Sequence, residues 1–393
     1  MELRFLRLAL LISLCPLVAP AQNDSTSSGT GFNLGTGGYG ISFGNSPRHT
    51  GLRFNWSDNC LEEINGVNVT LWKPGECVTG AVNGLAVGVI APAADEFNGI
   101  AIGIGGVMAK SRLSGISFGG LGVVSEGDIT GITLAGLGTV SKGDLQGISI
   151  GGLGCVSQGS IVGGSFALLG LVGKGDVTGI SIGGLGTVAG GTMTGMNFGG
   201  LGLVGKEGMY GVNIGGMGTV SQGVVGGLNF GGLAIVGQQG VAGVNLSGMA
   251  IVATEGSAGF LNLSGLAVVG LGGIYGVSVA GAGIVSKNDI AGLNLTIGDL
   301  RTDGSIAGLS VAGYRTKADR LTGIGITLVT TQVGEMQGAV TGVYNRFDRS
   351  MSGLSIGFVN DAASLFGVQL GFINIADNNP FPFRVLPILN VHF

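Results

Sequence analysis

The residues that could carry chemistry are few and widely spread. The only two histidines, His49 and His392, stand near opposite ends of a 393-residue chain. A Ser-His-Asp relay or a zinc site needs histidine close to its partners, and no Cys/His group has metal-ligand spacing. Aspartates recur in turns of the form "SEGD", "SKGD" and "GKGD" at Asp128, Asp144 and Asp176. Calcium-binding β-rolls use such turns, but on a nine-residue period with an aspartate in every turn. Here the same slot holds Ser160, Thr192 and Gly208, so solvated turns are expected, with no metal and no cofactor. Matches to Gly-x-Gly-x-x-Gly, such as "GIGGVM" at 103–108, come from glycine abundance and lack the strand-then-helix setting that cradles a phosphate.

Two further groups remain. Cys60 and Cys77 either pair in an oxidising compartment or stay free, while Cys155 fills a slot held elsewhere by Thr139, Leu171 and Thr187 and reads as a packing residue. Basic residues gather between 299 and 349 in "GDLRTDG", "GYRTKADR" and "YNRFDRS". Arg301, Arg315, Lys317 and Arg346 could line a surface ridge for an anionic polymer. The plainer reading is a solvated face with Asp299, Asp319 and Asp348 as local partners.

The elements that would position these residues come from one repeated phrase. Nine 16-residue units begin at Gly115, Gly131, Gly147, Gly163, Gly179, Gly195, Gly211, Gly227 and Gly243 without insertion. Looser copies open at Gly51, Gly66, Gly84 and Gly99, and downstream at Gly259, Gly276, Gly292, Gly308, Gly323, Gly338, Gly353 and Gly367. Counting the opening glycine as position 1, position 2 is usually apolar, position 3 is Ser, Thr or Asn, and position 4 is Phe, Ile or Leu. A small pair follows, then Leu or Met at position 7, a variable residue at 9, valine at 10 and a polar turn. Period-two alternation predicts a strand with positions 2 and 4 buried and position 3 in solvent. Leu185 and Val188 are expected in the same apolar ladder, and Ser181 outside it.

Such units cannot bury an apolar side alone, but stacked copies can. The fold class is therefore all-β, and the rigid period favours a β-solenoid with one unit per coil and corners at Gly-Gly and the polar turn. A closed outer-membrane β-barrel with one strand per unit is the alternative. Only two Trp and five Tyr are available for its aromatic girdles, and all the turns are short.

Residues 1–21 read as a signal peptide, with Arg4 and Arg7, an apolar stretch and Ala19-Pro20-Ala21 before the cleavage point. A lead-in over 22–50 precedes a single repeat domain over 51–393, with a regular core at 115–258 and a C-terminal cap strand at 383–393. Without the leader the formal charge moves from −4 to −5, which argues against nucleic acid as a partner.

The stretches "GVQLGFINIADNNP" (367–380), "LPILNVHF" (386–393) and "NGVNVTLWKP" (65–74) resemble the glycine-rich bacterial surface-repeat proteins first noted in leptospires, whose units read approximately GLQIGLIN. The middle of the chain departs from that pattern, with Gly-Gly-Leu-Gly in its place. The resemblance implies a bacterial envelope location and supplies no functional residues. The expected function is a non-enzymatic exported scaffold, structural or adhesive, with the outer membrane or envelope polysaccharide as candidate partners. An outer-membrane pore and a polysaccharide-binding or polysaccharide-cleaving solenoid are the alternatives.

Overall fold

A computed structural model describes residues 31–35 and 38–393, so the leader and the start of the lead-in lie outside the described residues. The chain is a β-solenoid of about 21 turns. One unit makes one coil. In the coil around Gly179, a long strand Val177–Gly183 is followed by a short strand Gly186–Ala189. The next coil repeats them as Thr192–Gly199 and Gly202–Gly205. Each strand pairs in parallel with its copy one unit on, Gly179 with Gly195 and Gly186 with Gly202. Parallel pairing at this offset excludes the up-and-down barrel, whose neighbouring strands are antiparallel. At ~4.8 Å per rung, 21 rungs make a column roughly 100 Å long.

Glycine at position 1 is required by the stacking. Gly179 has φ +113°, and a Cβ there would lie 2.2 Å from the Gly163 carbonyl oxygen. The same holds along the row from Gly51 to Gly367, with one exception. The sequence places Gly259 in this slot, but the coil there is one residue longer, and Phe260 takes the rung between Gly243 and Gly276 with φ 75°.

The period is as expected, but its phase is reversed. Ser181, expected in solvent, is 2% exposed, whereas Leu185 and Val188, expected inside, are 50% and 40% exposed. Positions 2 and 4 also face outward. The interior is built from position 9, the variable residue of the sequence reading, and from position 15. Val123, Leu171 and Leu203 fill the first row, and Ile129, Leu145 and Met193 the second, all almost fully buried. Position 5 stays small because it abuts the short strand, and a Cβ on Gly183 would meet the Gly186 oxygen at 2.1 Å.

A polar position 3 can lie inside because the stack pairs it with itself. Ser181 Oγ donates to Asn197 Oδ1 at 2.6 Å, and Asn197 Nδ2 to Asn213 at 2.9 Å. Asn213, Asn229 and Asn245 continue the chain of amide bonds to Asn262. A ladder of like amides along the axis removes the cost of burying each one. A second ladder, Asn345 to Asn360 to Asn374, runs through the last coils, where the period shortens and the strands lengthen to Thr330–Ala362 and Leu365–Ala376.

The described column reverses direction at both of its ends. Gly31–Leu34 pairs antiparallel with Tyr39–Gly44, and Val385–His392 returns antiparallel along the last coil. The 383–393 segment holds a strand over Val385–His392.

Candidate functional site

The turn aspartates are structural. Asp128 Oδ1 accepts the Asp144 N–H at 2.8 Å, and Asp144 Oδ1 accepts the Ser160 N–H at 2.8 Å. Asp176 Oδ1 accepts both the N–H and the hydroxyl of Thr192. Each carboxylate thus ties one coil to the next at position 14. Asp289 does the same for the Ser305 N–H and hydroxyl, at 2.8 and 2.7 Å, and the donated N–H holds its carboxyl below the usual range. Among the described residues, no three of His, Cys, Asp and Glu come together.

His49 is buried, with Nε2 at 2.9 Å from the Gly40 oxygen, and His392 contacts the Asn379 side chain at the other end. Cys60 and Cys77 are joined in a disulfide. Cys155 is buried, and that burial pushes its thiol up to about 11. Asn68, Asn245, Asn262 and Asn294, each opening an Asn-x-Ser/Thr sequence, are all buried.

The four basic residues of the expected ridge separate into pairs with different surroundings. Arg315 meets Asp299 at 2.6 Å and Arg346 meets Asp348 at 2.7 Å, as local partners. Arg301 and Lys317 sit on neighbouring rungs at position 10, and neither is in an ion pair among the described residues. The next rung carries Gln332, so the row does not continue to Arg346. The Asp319 carboxylate meets Arg349 at 2.8 Å, and that bond holds its carboxyl below the usual range.

One charged cluster escaped sequence reading. Arg53 is fully buried at position 3 of the coil opened by Gly51, with Nη1 at 2.9 Å from Asp58 Oδ1 and 2.6 Å from Asn68 Oδ1. Asp58 also accepts from Asn55, Asn68 and Thr70. Its members are buried and bonded to one another, so the group is the polar filling of the first coils. The signal was the only charged residue in the position-3 row, which elsewhere is Ser, Thr, Asn, Gln or an uncharged small or apolar residue.

The outer surface is the strongest candidate site. Position 7 carries Leu or Met on ten consecutive rungs from Leu121 to Leu266, each 40–60% exposed and hydrogen-bonded through its backbone to the rung before. Beside it run position 4, from Phe118 onward, and position 2, from Ile116 onward, with the valines of position 10 beyond the corner. The polar turn is confined to positions 11–14, where Lys142 meets Glu126 on the adjacent rung at 2.9 Å. The column is therefore two-sided, with an apolar surface that follows the Gly-Gly bend along most of its middle and a polar edge. Sequence reading missed the surface because it placed the same residues inside.

The fold defines a parallel β-solenoid with an apolar exterior. No family model matches the chain, and neither a curated protein nor a solved structure matches it.

Proposed function

We propose that this chain is a non-enzymatic structural or adhesive scaffold of a bacterial envelope, and that it works through its apolar outer face. The observation that carries the reading is the unbroken row of ten exposed Leu and Met side chains from Leu121 to Leu266, flanked by exposed Phe, Ile and Val. Exposed apolar surface beyond a few hundred Å² marks contact with another apolar body. The turn aspartates Asp128, Asp144, Asp176 and Asp289 are engaged between coils, which favours a scaffold role for that edge. An oxidising compartment, and hence export, suits the Cys60–Cys77 disulfide and the leader-like first residues. The resemblance to leptospiral-type surface repeats points to the same envelope.

The test is retention of the exported, purified chain on an octyl matrix, beside a variant carrying Leu185→Glu, Leu201→Glu and Met217→Glu. The wild type should be retained and the variant should flow through with an unchanged β spectrum. A wild type that is monomeric and still not retained refutes the reading.

A second contact rests on Arg301 and Lys317, two neighbouring cations free of carboxylate partners among the described residues. Salt-sensitive binding to an acidic polysaccharide, lost in Arg301→Glu/Lys317→Glu, would establish it.

A further inference from the structure

The apolar face carries a pattern more specific than hydrophobicity. At position 4, six successive rungs read Ile150, Phe166, Ile182, Phe198, Ile214 and Phe230, each in register with the next. All six point away from the core, so the alternation does nothing for interior packing. Phe166 leans over Gly164, the one glycine at position 2 among the nine regular units. The outward face is thus a regular series of large and smaller side chains, repeating every second rung at ~9.6 Å.

We infer that this face pairs with a second copy of the same chain, with the two columns antiparallel and a two-fold axis between the rungs of Ile182 and Phe198. This rests on the reading of the apolar face as the working surface and names its occupant. Three observations support the second copy. The axis sets Ile182 opposite the other copy's Phe198, Phe166 opposite Ile214, and Ile150 opposite Phe230. Every large side chain then meets a smaller one. The same axis also bisects the ten-residue Leu/Met row, which has five members on each side, from Leu121 to Leu185 and from Leu201 to Leu266. The two patterns therefore share one centre. The area also suffices, since ten rungs by five residues is roughly 48 by 17 Å, or about 800 Å² per partner before side-chain relief, the size of a standard stable interface.

A parallel pairing in the same register would put Phe against Phe. Shifted by one rung it would be head-to-tail and would not close. A lipid surface would gain nothing from the alternation, and between residues 115 and 270 the column carries one tyrosine, Tyr210, and no tryptophan, too few for the aromatic rim that anchors proteins at a bilayer.

The experiment uses the full exported chain in analytical ultracentrifugation, with octyl retention as a parallel readout. Wild type should sediment as a dimer. Phe166→Ile/Phe198→Ile/Phe230→Ile keeps the face apolar but removes the knobs, and should weaken the dimer by roughly tenfold or more while retention persists. For register, a Phe166→Cys/Ile214→Cys variant should be joined into a covalent dimer by a short bis-maleimide. These positions are three rungs apart within one chain but opposite each other across the pair. A Phe118→Cys/Phe166→Cys variant should not be joined. A monomeric wild type that still binds the octyl matrix overturns the pairing and leaves the adhesive reading standing, with lipid vesicles or another partner as its occupant. A monomer that is not retained overturns both. Cross-linking of both cysteine variants, or only of the second, overturns the antiparallel register, as does a triple isoleucine variant that dimerises as tightly as wild type.

Discussion

Asn213 donates its side-chain N–H to Asn229 Oδ1 at 2.9 Å, one coil away and inside the solenoid. Asn213 also accepts from Asn197, so each amide serves two neighbours at once.

Removing one member should therefore strand two partners. Asn213→Ala leaves the Asn197 donor and the Asn229 acceptor without the partner they shared, and each unsatisfied buried group costs about 1–3 kcal/mol. Leu185→Asp, on the exposed side, should leave the monomer's stability within about 0.5 kcal/mol. Urea unfolding at concentrations where the chain is monomeric compares the two. The opposite order would return Leu185 to the core.

The glycine row predicts a position-specific effect. Gly179→Ala must hold an unfavourable positive φ and push a Cβ against the Gly163 carbonyl, and should cost on the order of 3 kcal/mol. At Gly164 a Cβ would find no atom closer than 3.5 Å and φ is not positive. Alanine there should be neutral or should stabilise by about 0.4–1 kcal/mol. Thermal midpoints of the two single variants decide whether position, rather than glycine content, is what the fold requires.

Acid should loosen the ties between coils. The pKa of Asp289 is lower in the folded chain than in the unfolded one, because the ionised carboxylate accepts from Ser305. Its contribution is therefore fully present above the unfolded carboxylate pKa and is lost as pH falls through the lower folded value. The stability gap between wild type and Asp289→Asn should be constant near neutrality and shrink towards strongly acidic pH. A gap that does not change between pH 7 and pH 2 would show that the carboxylate's charge plays no part.

Cys155 should be silent in the folded chain. Burial and the raised thiol pKa, about 11, both suppress the thiolate that alkylating reagents attack. The peptide containing Cys155 should stay unmodified by iodoacetamide at pH 8 and become labelled in guanidinium, as mass spectrometry can read. Labelling under native conditions would place this row on the surface.

The repeat, its period and the corner at Gly-Gly were legible in the sequence, because glycine that must hold a positive φ against a neighbouring carbonyl leaves an unmistakable row. The inside and outside were not. Alternation of Ile, Ser and Ile specifies two faces without saying which is buried, and the usual assumption sends serine to water. Ser181 is inside because its neighbours in the stack are Ser165 and Asn197, a relation visible only when coils are laid on one another. Ile129 and Leu145 went unnoticed as core because each stands alone beside a polar turn. Arg53 illustrates the same limit, since its carboxylate partner Asp58 lies in an irregular corner that no period predicts.

The antiparallel strand Val385–His392 has a consequence for the size of the object. Identical parallel coils form a lattice in one dimension, and a bare final coil would be a template on which another chain could add without limit. A strand running the wrong way breaks the translational rule at that end, as Gly31–Leu34 does at the other. Addition of further parallel coils is then blocked at both ends of the described column. The described column is a closed stack, built from a motif that would otherwise grow into a fibre.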